Sequence, residues 1–147
     1  MYDCAQEDLL STTILLVEDN KMQKLAHERI LTRAGFAVIC AVDGAEAVQM
    51  ALEKSPDIIL LDMLLPKMSG VQVLQALQQH AETARIPVIV LSALPQVNEA
   101  KLRAAGAIGY FMKSRLLDDK DGESALVELL SRTARETRER NAATAVD

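Results

Sequence analysis

A chain of 147 residues fits one domain of ordinary size. Half of its residues are hydrophobic but only 3% are aromatic, so the core must be built from Leu, Ile, Val and Ala. A net charge of −5 argues against a nucleic-acid-binding surface, which carries a basic excess, and no apolar run approaches the roughly 18 residues that span a bilayer.

The chain opens on MYDCAQEDLL, an acidic tail assigned to residues 1–11, without the basic-then-apolar order of a signal peptide. Cys4 lies in that tail and Cys40 in an apolar segment, a placement that gives no disulfide framework. Free thiols and a cytoplasmic location are expected. TILLV (13–17) is a continuous hydrophobic run, as a strand buried on both faces would be. From Asn20 to Arg33 the spacing turns helical, with Met22, Leu25, Ala26, Ile30 and Leu31 on one stripe and Gly35 placed to end the helix.

AVICAV (37–42) reads as a second strand. Asp43 then caps a helix through Val48 and Leu52, which Pro56 stops. IILL (58–61) is a third strand, and Ser69-Gly70 opens a helix carrying Val71, Val73, Leu74 and Leu77. VIVL (88–91) is a fourth strand, followed by a helix over 97–105 and a short fifth strand at 110–112. The last helix starts between Asp121 and Ser124. Residues 134–147, with charges of both signs and little apolar content, read as a solvated helical extension that frays into a tail.

Five βα repeats with near-continuous apolar strands imply an α/β fold, a parallel sheet with helices on both faces. In such a sheet the residues just after each strand gather at the carboxyl edge. In the order 2-1-3-4-5 a ligand binds where the order reverses, between strands one and three. Those two strands run into acids: Glu18 and Asp19 after the first, Asp62 after the third. Ser92 follows the fourth and Lys113 the fifth. Asp62, set in IILLDMLLP, is therefore at the mouth of a core strand rather than inside the core. Three carboxylates there repel one another unless a divalent cation or a lysine intervenes, and a few carboxylates completed by waters suit Mg²⁺.

ILLVEDN, IILLDMLLPKMSG, VLSA and AGAIGYFMK occur in order, and with their spacing the chain resembles the receiver domains of two-component response regulators over residues 12–133. The resemblance implies a flavodoxin-like (βα)5 fold. It makes Asp62 the acceptor of a phosphoryl group from a histidine kinase or phosphotransfer protein, and the domain a signalling switch rather than an enzyme. Mg²⁺ would be held by Asp19, Asp62 and the backbone carbonyl of Leu64, with Glu18 acting mainly through water. Lys113 and Ser92 would contact the phosphoryl group. Tyr110 would change rotamer and alter the face of the fourth helix, fifth strand and fifth helix that meets a downstream protein. Leu64 and Leu94 would border the approach of a hydrolytic water, and as apolar residues they imply slow loss of the phosphoryl group.

The sequence departs from the family at Ser114, where a proline is usual after the lysine, and at Ile108 and Gly109, where acids often pair across a dimer. A monomer or weak dimer is expected. His27 and His80 read as surface residues remote from the site. A flavodoxin-like electron carrier would need a hydroxyl-rich loop after strand one, where this chain has acids, and aromatics to flank a flavin, of which only Tyr2, Phe36, Tyr110 and Phe111 exist. A dehalogenase-type phosphatase would need an acid where Leu64 stands. A phosphorylation-independent scaffold would not need the full set of acids and lysine. No effector domain follows within the chain, so it is either a stand-alone regulator or part of a longer protein.

Overall fold

Five apolar segments pair as parallel strands in the computed structural model of the protein, which describes residues 12–62, 69–93, 99–118 and 120–145. They are β1 (Thr13–Val17), β2 (Ala37–Ala41), β3 (Ile58–Asp62), β4 (Val88–Ser92) and β5 (Gly109–Met112), in the order β2-β1-β3-β4-β5. Around them lie α1 (Lys21–Arg33), α2 (Gly44–Lys54), α3 (Gly70–Gln78), α4 (Ala81–Ala84), α5 (Glu99–Ala104), α6 (Ser114–Asp118) and α7 (Lys120–Ala145). The order and the flanking helices are those expected of a doubly wound sheet.

Strand alternation sends side chains to opposite faces, and each face has its own core. Leu15, Val17, Ile59, Leu61 and Val90 pack with Ala47, Ala51, Val73, Leu74 and Leu77 of α2 and α3. Ile14, Leu16, Leu60, Ile89 and Leu91 pack with Leu31 of α1 and with Leu126 and Leu130 of α7. Register holds the strand ends level: Val17 lies opposite Leu61, Asp62 opposite Leu91, and Ser92 opposite Met112. Residues at the strands' carboxyl ends are thus delivered to one edge.

The helix starts are written into the sequence. Asn20, Asp43 and Ser69 each accept a hydrogen bond from the backbone N–H three residues on, and the Gln72 amide oxygen accepts one from the Ser69 backbone N–H to complete a capping box. Gly35 takes the left-handed conformation, φ 106°, that ends the turn after α1.

Several expectations need correcting. The buried stripe of α1 is His27, Ile30 and Leu31, whereas Met22 and Leu25 are 81% and 59% exposed and Ala26 is exposed as well. His27, three and four residues before Ile30 and Leu31, takes the inward position that an apolar count gives to Leu25 and Ala26. Leu52 of α2 is also exposed, and small Ala47 and Ala51 face the sheet instead. Two short helices, α4 and α6, appear where no element was expected. The last helix continues to Ala145 as the helical extension expected, but it is not wholly solvated, since Ala134 is buried and Arg138 donates to Thr12 Oγ1 at 2.6 Å. The expectations placed on the tail at 1–11, on Leu64 and Leu94, and on the start of the helix at 97–98 lie outside the described residues.

Candidate functional site

The carboxyl edge assembles the acids and the lysine from three strands. Glu18 follows β1 directly, and its backbone N–H donates to Ala41 at 3.0 Å, carrying the pairing with β2 one step further. That step fixes the Glu18 carboxylate inward, with 1% of the residue exposed. The next residue, Asp19, is exposed. Asp62 is the last residue of β3 and 5% exposed. Ser92 ends β4 and is buried one register step beyond Asp62. The backbone N–H of Lys113 donates to the Ser92 carbonyl at 2.8 Å, which anchors the lysine beside the strand that carries the serine.

One carboxylate oxygen from each of Glu18, Asp19 and Asp62 can be chosen so that all lie within 4.8 Å of one another. Lys113 Nζ donates to Asp62 Oδ2 at 2.9 Å and to Glu18 Oε2 at 3.3 Å. Glu18 Oε1 also accepts from the Asn20 backbone at 3.2 Å. Burial raises the Glu18 pKa from 4.5 to about 7. A hydrogen bond with Asp62 and that residue's negative charge add to the rise, while Lys113 and the Asn20 N–H oppose it. The metal-free cluster therefore tends to hold a proton between two acids. A donor set of carboxylate oxygens, part buried and part open to water, fits a hard divalent cation such as Mg²⁺.

Tyr110 is half-buried in β5, where it packs against the core on the α2–α3 face. No cis peptide bond occurs among the described residues, so the Lys113–Ser114 bond is trans, and α6 begins at once with Ser114. Leu64 and Leu94 fall outside the described residues. Cys40 is half-buried with its thiol 3.7 Å from a Glu28 carboxylate oxygen. Burial and the Glu28 charge push its pKa to about 11, which leaves it unreactive as a thiolate.

Two residues near the site were not legible in the sequence. His27, expected on the surface, is 7% exposed, and its Nδ1 has no hydrogen-bond partner. Burial lowers its pKa, and the Lys113 charge lowers it further. With Met22, Ala26, Lys113 and Leu116 it lines a cavity of about 330 Å³ beside the acid cluster. His80 is exposed, as expected. The second is Gln23, whose Oε1 accepts from Lys113 Nζ at 2.7 Å. Its position in the first turn of α1, four residues after Asp19, was the available signal, but only the rotation of the helix decides that it points at the lysine.

Comparison with known proteins agrees with this geometry. The family model described as "Response regulator receiver domain" matches residues 14–120. The polar-differentiation response regulator DivK of Brucella abortus is 31% identical over 105 residues, covering 71% of this chain and 85% of DivK. The receiver domain of a sensor histidine kinase from Pseudomonas aeruginosa PAO1, solved with a magnesium ion coordinated in its active site cleft, is 30% identical. Its TM-score is 0.73, with 84% of this chain and 97% of that one covered. The chemotaxis response regulator CheY4 of Vibrio cholerae, at 24% identity and a TM-score of 0.72 over 83% of this chain and 98% of its own, bears on the fold alone. Among the described residues no helix is long and apolar enough to cross a membrane. With the receiver-domain model matching residues 14–120, most of this chain, and DivK aligned across 85% of its own length, the chain belongs to the response regulator receiver family.

Proposed function

We propose that Asp62 accepts a phosphoryl group from a histidine kinase or phosphotransfer protein in the cytoplasm. The observation that carries this reading is the Lys113 ammonium, which bridges Asp62 and Glu18 within a cluster of three carboxylates. In the transfer, an Asp62 oxygen forms a new P–O bond while the donor's P–N bond breaks. The leaving imidazole keeps the electron pair. Asp19 and Asp62, with the Leu64 carbonyl, would hold Mg²⁺, with Glu18 acting mainly through water, and the ion when bound supplies positive charge to the phosphoryl oxygens. Lys113 contributes its own charge on the same side, where the negative charge of the transferring group gathers. Ser92, one register step along the edge from Asp62, would donate its hydroxyl to that group.

A phosphoryl group drawing on Ser92 would pull on β4 and its neighbour β5, where Tyr110 stands. The face made by α5, β5 and α7 would then change for a downstream protein. The receiver unit proposed here spans residues 12–133, with a tail before it and a helical extension after it. The direct test is incubation with acetyl phosphate and Mg²⁺ followed by intact-mass measurement. One phosphoryl adduct is expected on the wild type and none on Asp62→Asn, and an equal adduct on both would exclude Asp62 as the acceptor.

A further inference from the structure

A protonated lysine has three N–H bonds to place. Lys113 has three oxygens within reach: Gln23 Oε1 at 2.7 Å, Asp62 Oδ2 at 2.9 Å and Glu18 Oε2 at 3.3 Å. Two of these belong to the acid cluster. The third, and shortest, comes from a neutral amide 90 residues away in sequence, on a different element.

Both ends of that bridge are fixed. The backbone N–H of Gln23 donates to Asn20 Oδ1 at 3.0 Å, and that of Lys24 donates to the Asn20 carbonyl at 2.8 Å, so the first turn of α1 is capped and rigid. At the other end the Lys113 backbone is tied to Ser92. Between these anchors lies a flexible four-carbon stem that retains about 2 kcal/mol of rotamer entropy when unconstrained. Two unequal anions alone do not settle its direction, because the ammonium can lean toward either carboxylate. A neutral acceptor on the third N–H does, and it adds no further negative charge to a cluster that an anionic phosphodonor must approach.

We propose that Gln23 is a positioning residue for phosphoryl transfer to Asp62: its amide oxygen holds the Lys113 ammonium so that the N–H now on Asp62 Oδ2 stays aimed at the side where the phosphoryl oxygens will lie. This rests on the reading of Asp62 as phosphoacceptor. The Gln23–Lys113 bond is exposed to solvent, and exposed hydrogen bonds contribute little to stability. Its loss should therefore appear in the transfer rate and not in folding, which separates a positioning role from a structural one.

The test uses the full chain and Gln23→Met, which keeps length and volume but has no amide oxygen. Acetyl phosphate is varied at fixed Mg²⁺, and the melting temperature and Mg²⁺ affinity are measured alongside. The maximal labelling rate is expected to fall about tenfold, equivalent to 1.4 kcal/mol of transition-state stabilisation. The half-saturating acetyl phosphate concentration and the Mg²⁺ affinity should stay within about twofold, and the melting temperature should not move. Independently of activity, the ¹⁵N-edited ammonium signal of Lys113 should be sharp in the wild type, broadened in Gln23→Met and sharp again in Gln23→Glu, which restores an acceptor. An unchanged maximal rate in Gln23→Met, or a Lys113 signal indifferent to both substitutions, overturns the positioning role while leaving the acceptor role of Asp62 intact. A wild type that takes no label overturns both.

Discussion

Glu18 is an acid held where ionisation is costly. Its pKa, raised by burial and by Asp62, means that the folded, metal-free protein keeps a proton which the unfolded chain has released above pH 4.5. The folded state then binds more protons than the unfolded one, so this residue lowers stability as pH rises from about 4.5 to about 7, with no further change above. A shift of that size corresponds to about 3 kcal/mol as a ceiling. His27 works in the opposite direction. Its folded pKa is depressed below 6.5 by burial and by Lys113, so its contribution is present above 6.5 and lost as pH falls. Urea unfolding in EDTA between pH 5 and pH 8 should separate the two. Relative to Glu18→Gln, the wild type should lose stability from pH 5 to about pH 7 and change no further up to pH 8, and Glu18→Gln alone should show the rising slope owed to His27. A constant difference between the two proteins would mean that Glu18 ionises in the folded state at its ordinary pKa. Because Mg²⁺ needs the deprotonated carboxylates, its stabilising effect on the wild type should be larger at pH 8 than at pH 5.5.

At the scale of elements, the junction of α6 and α7 offers a case where two effects oppose each other. Gly122 stands in the first turn of α7, where helix propensity alone would favour alanine. Yet a Cβ at Gly122 would overlap the backbone carbonyl of Arg115 in α6, and α6 is itself pinned by the Arg115 guanidinium 4.8 Å from the Phe111 ring centre. Overlap with main chain cannot be relieved by a rotamer change, so sterics should win. Gly122→Ala is expected to cost about 1–3 kcal/mol in urea unfolding, and a neutral or stabilising result would show that α6 yields. Neither α6 nor this contact was legible in the sequence, since a single turn carries no periodicity. The strands were legible because burial on both faces leaves an unbroken apolar run, and Asp43 and Ser69 marked their helices by chemistry. The face of α1 was misread for a definite reason. Met22 and Leu25 fit an apolar stripe by spacing, but the polar His27 occupies the inward position. The acids and Lys113 could be gathered from sequence because each lies at or just after the carboxyl end of a strand, a position that topology alone fixes. Gln23 and His27 could not, because their placement depends on how a helix is rotated against the sheet.

The molecule as a whole concentrates charge at one edge of the sheet and ties down the other. At the amino edge the Thr13 backbone N–H donates to Asp57 Oδ2 at 2.7 Å, and the buried Thr12 accepts from Arg138 of α7 at 2.6 Å. A five-residue strand spans about 16 Å, which separates that edge from the acid cluster by more than the roughly 7–10 Å over which substitutions usually couple. The element tied to the amino edge by Arg138 is α7, which at 26 residues is about 39 Å long and outruns the strands. Arg138→Ala should therefore lower stability by about 1 kcal/mol through loss of a charged hydrogen bond, equally at pH 5 and pH 8 and equally with or without Mg²⁺. Glu18→Gln should change the pH slope and the Mg²⁺ response instead. Urea unfolding of the double variant should give the sum of the single effects to within about 0.5 kcal/mol at each pH. A coupling above about 1 kcal/mol, or a change in Mg²⁺ affinity caused by Arg138→Ala, would contradict independent edges and make α7 the element through which the carboxyl edge and the amino edge sense each other.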